Sequence, residues 1–121
     1  MGYLDAFTII ESTFKDAFVV TSGNQINQSG TYLFFDGSVA NNKVEDTLSF
    51  TVAIAAHSLT KENGVMGEVD KLRKKALDSK WEIDFKRSKG VDFETSSLYI
   101  VALEFTIKIN LKEDDLWKLN L

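Results

Sequence analysis

Apolar residues in the N-terminal segment recur at helical spacing. Tyr3, Phe7, Ile10, Phe14 and Phe18 are separated by four, three, four and four positions, which places them on one face of a helix. Asp5, Glu11, Lys15 and Asp16 fall mostly elsewhere. Five large groups on one stripe need a flat partner, and a sheet supplies one. Val19-Val20 marks a short strand, and TSGNQINQSG after it is a polar, glycine-bearing stretch expected to be a mobile loop or a long hairpin arm.

The period then changes from helical to twofold. Thr31 to Phe35 is aromatic and β-branched, hence a strand. Asp36-Gly37 is a turn signal, and Val39 to Glu45 follows as a loop or weak hairpin tip. From Asp46 to His57, Leu48, Phe50, Val52, Ile54 and Ala56 alternate with Thr47, Ser49, Thr51, Ala53 and Ala55. One face is apolar and the other small, the pattern of a sheet covered on one side. That small face is suited to a close approach by another backbone or subunit.

A second helix is expected from about Glu62 to Ser79, with Ser58 or Thr60 as its cap. Val65, Val69, Leu72 and Ala76 form its apolar face, with Leu77 beside them. Gly64 and Gly67 weaken its start by about 1 kcal/mol each relative to Ala. Trp81, Ile83 and Phe85 alternate with acids and Lys86 as a third strand, and RSKGVDFETSS reads as a loop around Gly90. The last strand is long: Tyr99, Val101, Leu103, Phe105, Ile107, Ile109 and Leu111 share one face. Thirteen residues make it central to the sheet or projecting beyond it. The element order predicts an α+β fold, a mixed or antiparallel sheet with two helices on one face, in a single domain over residues 1–121. The tail, residues 112–121, carries Leu116, Trp117, Leu119 and Leu121, heavy apolar cargo for a chain end, suited to folding back or to docking on a neighbour.

Composition narrows the chemistry. With no Cys, thiol catalysis, disulfides and thiolate zinc sites are excluded. The formal net charge is −4, and the one basic cluster, Lys71 with Arg73, Lys74 and Lys75, reads as a solvated helix face, so no sequence-specific nucleic-acid binding is expected. The first eleven residues lack the basic region and long apolar run of a secretory signal. Val52 to Ala56 is far too short an apolar run to cross a membrane. His57 is the single histidine, with no HxxxH or HxH partner for a metal. The acidic pairs Glu45-Asp46, Asp92 with Glu94, and Asp114-Asp115 lie in polar loops or the tail. No phosphate-cradling glycine motif is present. Neither an enzymatic activity nor a cofactor is expected.

In order, TYLFFDGS, LSFTVAIAAHSL, VDKLRKKAL and LYIVALEFTIKI resemble Mu-like phage and prophage tail proteins of the tail-terminator or tail-completion family. The resemblance spans residues 4–111 and rests on Phe35, Asp36, Gly37 and Ser38, on Ala53, Ala55 and Ala56, on Leu72 and Leu77, and on Tyr99, Glu104 and Phe105. The chain departs from the pattern in carrying His57-Ser58 where an Arg-Asn pair is common, and in having no proline. The resemblance implies a homo-oligomer, commonly a hexameric ring. The ring would cap the tail tube or sheath protein and contact the head-tail connector, first in the host cytoplasm and then in the virion tail. It implies no catalytic residues. On this reading the subunit or partner interface is expected at Phe35, Asp36, Ala53, Ala55, His57, Leu116, Trp117 and Leu119. Two other readings remain: a small non-catalytic adaptor or neck component of a phage-like or secretion apparatus, and a small enzyme using carboxylates with His57.

Overall fold

The computed structural model describes residues 1–20, 26–91 and 97–112. Its elements are α1 (Tyr3–Thr13), β1 (Phe18–Val19), β2 (Gly30–Ala40), β3 (Glu45–Ala56), α2 (Val65–Asp78), β4 (Ile83–Val91) and β5 (Tyr99–Asn110). The five strands form one mixed sheet in the order β1-β2-β3-β5-β4. The β1–β2 pair is parallel and every other pair antiparallel. β3 and β4 therefore run the same way with β5 between them, and α2 is the crossover that joins them. Both helices bury residues in the same cluster as one face of the sheet. This is the α+β arrangement that the order of elements predicts.

On α1 the buried positions are Ala6, Ile9 and Ile10, followed by Phe14 at the helix end. The expected stripe is thus rotated at its start and cut short at its end. Tyr3 stays partly outside, where its hydroxyl meets Ser38 Oγ at 2.9 Å and donates to Asp46. Phe18 is not on the helix at all. Small Ala6 lets the helix lie close to the sheet, so the buried face turns toward it. The helix stops because a turn follows: the Phe14 amide still reaches Ile10 O at 3.0 Å, and Ala17 N then bonds Phe14 O at 2.9 Å.

Four phenylalanines cross the sheet in a single row. Phe35 pairs with Phe50, Phe50 with Phe105, and Phe105 with Phe85. Adjacent rings at the two ends of the row are 5.4 Å (Phe35–Phe50) and 5.6 Å (Phe85–Phe105) apart. The α1 rings close over them, Phe7 at 5.9 Å from Phe50 and Phe14 at 5.0 Å from Phe105, tilted contacts of the kind aromatic pairs prefer. From α2, Arg73 places its guanidinium carbon 3.9 Å from the centre of the Phe85 ring, a cation–π contact.

Three expectations are corrected here. Asp36-Gly37 is no turn: β2 runs through it to Ala40, with a bulge between Phe35 and Gly37. Gly37 takes φ +122° there, so the left-handed conformation that suggests a turn is used to pass one extra residue within a strand. The hairpin tip is confined to residues 41–44, where Asn42 Oδ1 accepts the amides of Val44 and Glu45 at 3.0 and 2.9 Å. Likewise Arg87 to Val91 is strand and not loop, entered through a second bulge between Phe85 and Arg87.

The start of α2 is the third correction. Its N-cap is Gly64, and neither Ser58 nor Thr60 caps it by side chain. Carbonyls of the preceding turn do the work of a capping group. Gly64 N bonds Lys61 O at 2.7 Å, Val65 N bonds Ser58 O at 3.0 Å, and Met66 N bonds Leu59 O at 3.1 Å, so amides that a helix start leaves orphaned are satisfied. This demands a close approach. A Cβ on Gly64 would sit 2.7 Å from Ser58 O and 2.9 Å from Lys61 O. The expected apolar face holds for Val65, Leu72 and Ala76, with Val69 half-buried and Leu77 well exposed. On β5, Leu103, Phe105, Ile107 and Ile109 lie on the helix side as expected, and the strand sits inside the sheet.

Candidate interaction surfaces

Among the described residues the second face of the sheet carries no helix, and its chemistry changes along the strands. At one end Tyr32, Ala53, Ala55, Leu98 and Ile100 form a second buried cluster with Val20, Ile26 and Phe34 packed against it. At the other end the face is polar. Thr47, Ser49 and Thr51 of β3 stand beside Thr106 and Lys108 of β5. Arg87 of β4 pairs with Glu104 of β5, and Thr51 donates its hydroxyl to Asp36. The hydrogen bond from Arg87 holds the Glu104 carboxyl below the usual range, helped by the charges of Arg87 and Lys89 and opposed by desolvation. The same bond and the Glu104 charge raise Arg87.

The expected interface residues fall in three places. Phe35 and Asp36 lie together at the β2 bulge. Phe35 is 48% exposed although its ring rests on Phe50, and the Asp36 carboxylate takes the Thr51 hydroxyl. Ala53 and Ala55 are each 3% exposed, covered by side chains of their own chain. The small-residue face is therefore occupied from within the subunit, and Tyr32 and Ile100 are the close neighbours that small residues admit. His57 lies just past the end of β3 and is exposed. Leu116, Trp117 and Leu119 lie outside the described residues, as do 21–25 of the expected hairpin arm and the acids Asp92, Glu94, Asp114 and Asp115.

His57 borders an open cavity of about 860 Å³, with Leu59, Met66, Val91 and Tyr99 among its walls. Its Nδ1 is 3.5 Å from Ser97 Oγ. A serine activated by histidine needs a shorter contact, about 2.6–3.2 Å, and a third group to orient the ring. Among the described residues no such group bonds His57, and no set of three His, Asp or Glu side chains is placed to hold a metal.

Of the expected interface residues that are described, only Phe35 and Asp36 fall on an open sheet edge, and none falls on the opposite one. β1 covers β2 only at Tyr32 and Leu33. Among the described residues no strand pairs with Phe34 to Ala40 on that outer side. Large apolar groups are exposed on β2 and the elements beside it: Leu4 is 79% exposed, Val39 67% and Phe18 66%. The opposite edge is β4, whose outer side no described strand pairs, and it exposes Lys86, Arg87 and Lys89. Residues 1–20 and 26–44 hold four acids against two bases, whereas residues 71–91 hold eight bases against three acids. The β4 side of the sheet is thus the basic one.

No family model and no curated protein matches this sequence.

Proposed function

We propose that this chain is a structural subunit of a phage or prophage tail, a tail terminator or completion protein. In that role it forms a ring that caps the tail tube or sheath and faces the head-side connector. The observation that carries the reading is the unpaired stretch of β2. A domain with a filled core still leaves the outer side of Phe34 to Ala40 with no strand on it among the described residues, and an open strand edge is a template for pairing with another chain. Support also comes from the resemblance spread over residues 4–111. It sets Phe35 to Ser38 in this open stretch of β2 and Tyr99, Glu104 and Phe105 on β5.

The fold suits a passive component. Hydrogen-bonded strands make a stiff plate, the two helices close one side of it, and among the described residues no strand covers the outer side of Phe34 to Ala40 or of β4. In a ring each subunit uses two different patches, one for each neighbour, and the rotation between copies closes the circle. An acidic chain lining a passage for DNA would leave phosphates unheld, since retention needs lysine and arginine.

Two measurements test the proposal. Electron micrographs of the purified protein at high concentration should show closed rings of uniform size. Mass spectrometry of tails purified from a phage or induced prophage carrying this gene should find the chain at a few copies per particle. Its absence from such tails, with tube length unaltered when the gene is deleted, would refute the assignment.

A further inference from the structure

The assembly reading leaves open which patches meet, and the sheet edges answer that. We infer that the outer edge of β4 in one copy adds to the free stretch of β2 in the next, continuing the sheet from subunit to subunit. The inference rests on the assembly reading, and three observations carry it.

The first is direction. β2 is antiparallel to β3, β3 to β5 and β5 to β4. β4 is therefore antiparallel to β2. A second copy set beside the first in the same orientation brings β4 against β2 as an antiparallel pair, the more stable geometry. The second is hydrogen-bonding capacity. Phe34 to Ala40 and Ile83 to Val91 each have an outer side with no strand on it among the described residues, and such edges are templates for pairing.

The third is charge. Lys86, Arg87 and Lys89 oppose pairing of β4 with another β4, the usual role of lysine on an edge, while admitting a strand that is neutral or acidic. β2 offers Asp36 and no base. Like-with-like contact is thereby disfavoured and head-to-tail contact favoured, and head-to-tail contacts generate rings or filaments. Register sets the stagger. Ser88 and Lys89 stand level with Leu33 and Tyr32, which β1 covers, so the added copy is shifted a few residues along the strand to bring Lys86 to Val91 against Phe34 to Ala40.

The test uses two variants that each spoil one edge. Asp36→Lys spoils the β2 side, and Lys86→Glu with Lys89→Glu spoils the β4 side. Circular dichroism must match the parent, and Asp36→Asn serves as a second β2 variant that removes the charge while keeping an acceptor for Thr51. Sedimentation velocity from micromolar to millimolar concentration should show the parent assembling. Each variant alone should associate at least about fivefold more weakly, the size of effect that cross-strand charge reversal produces. An equimolar mixture of the two variants should recover assembly toward the parent's, because each retains one competent edge and the two altered edges carry opposite charge. A parent that stays monomeric, variants that assemble as well as the parent, or a mixture that stays monomeric would each overturn edge pairing. If the parent and both variants all form rings, the tail-subunit reading survives and the contact lies elsewhere. Absence from tails sinks that reading whatever the edges do.

Discussion

Gly64→Ala sets helix propensity against close packing at the start of α2. Judged by propensity alone, the change favours the helix: removing a glycine lowers the entropy of the unfolded chain and stabilises by about 0.4–1 kcal/mol where the native backbone tolerates alanine. Gly64 has φ −84° and ψ −176°, which alanine adopts without strain. The obstacle is space. The new Cβ would meet Ser58 O at 2.7 Å and Lys61 O at 2.9 Å, both main-chain atoms. These two oxygens accept the amides of Val65 and Gly64, so relieving the clash pulls apart the bonds that satisfy the helix start. At about 0.5–1.5 kcal/mol net for each bond, losing both costs about 1–3 kcal/mol. Setting the entropic gain against the midpoint of that cost leaves a net destabilisation of about 1 kcal/mol or somewhat more. Urea unfolding followed by circular dichroism measures it, and the expected fall in Tm is about 3–10 °C for a chain of this length. Gly90→Ala is the control, since a Cβ there meets nothing within 4 Å, and it should be neutral or slightly stabilising. A Gly64→Ala protein as stable as the parent would refute the close-approach account and restore the propensity argument.

Three further outcomes are expected. Phe50→Ala removes a fully buried ring that touches Phe7 and Phe35 and should destabilise by about 3–5 kcal/mol, read as a lower urea midpoint with an unchanged slope. Glu104 has a folded pKa below its unfolded value of about 4.3, so its contribution is fully present above that value and is lost as pH falls through the folded one. Glu104→Gln should accordingly flatten the acid limb of stability against pH slightly, and added salt should erase the difference because the pair is exposed. His57→Ala changes an exposed side chain whose contact with Ser97 is long. Unfolding free energy should stay within about 0.5 kcal/mol of the parent, and rings or tails formed by the variant should be indistinguishable from the parent's.

Most of the fold was legible because it rests on periodicity. The alternation of Leu48 to Ala56 and of Leu103 to Ile109 placed β3 and β5, and the spacing of Val65, Leu72 and Ala76 placed α2. What misled was local chemistry read without its tertiary setting. Asp36-Gly37 has the composition of a turn, yet Gly37 spends its positive φ on a bulge. Lys86 to Gly90 has the composition of a loop, yet it is an edge strand, where lysines belong. Gly64 and Gly67 look like flaws in a helix until the turn at residues 58–62 is seen folded against them. The candidate interface suffered from the same errors. Reading the turn at residue 36 hid Val39 as a strand residue beside Phe35, and reading the loop at residue 87 hid the basic edge.

Those two misreadings share a cause that bears on how the chain works. Both mark places where an edge strand admits one extra residue, and both come directly after a phenylalanine of the same cross-sheet row, Phe35 and Phe85. The row itself is well determined: Phe50 and Phe105 are fully buried, and Phe7 and Phe14 hold them from above. A slip of one residue in either edge strand would carry its phenylalanine to the opposite face, so the aromatic row fixes the register up to each bulge. Beyond the bulges the edge strands are free of that constraint, and there aromatic residues give way to small, polar and charged ones with Val39 among them, Asp36 to Ala40 on one side and Lys86 to Gly90 on the other. Register is thus set by the core, and surface chemistry by the residues on the far side of each bulge. A sheet built this way can change what its edges recognise without disturbing how it folds.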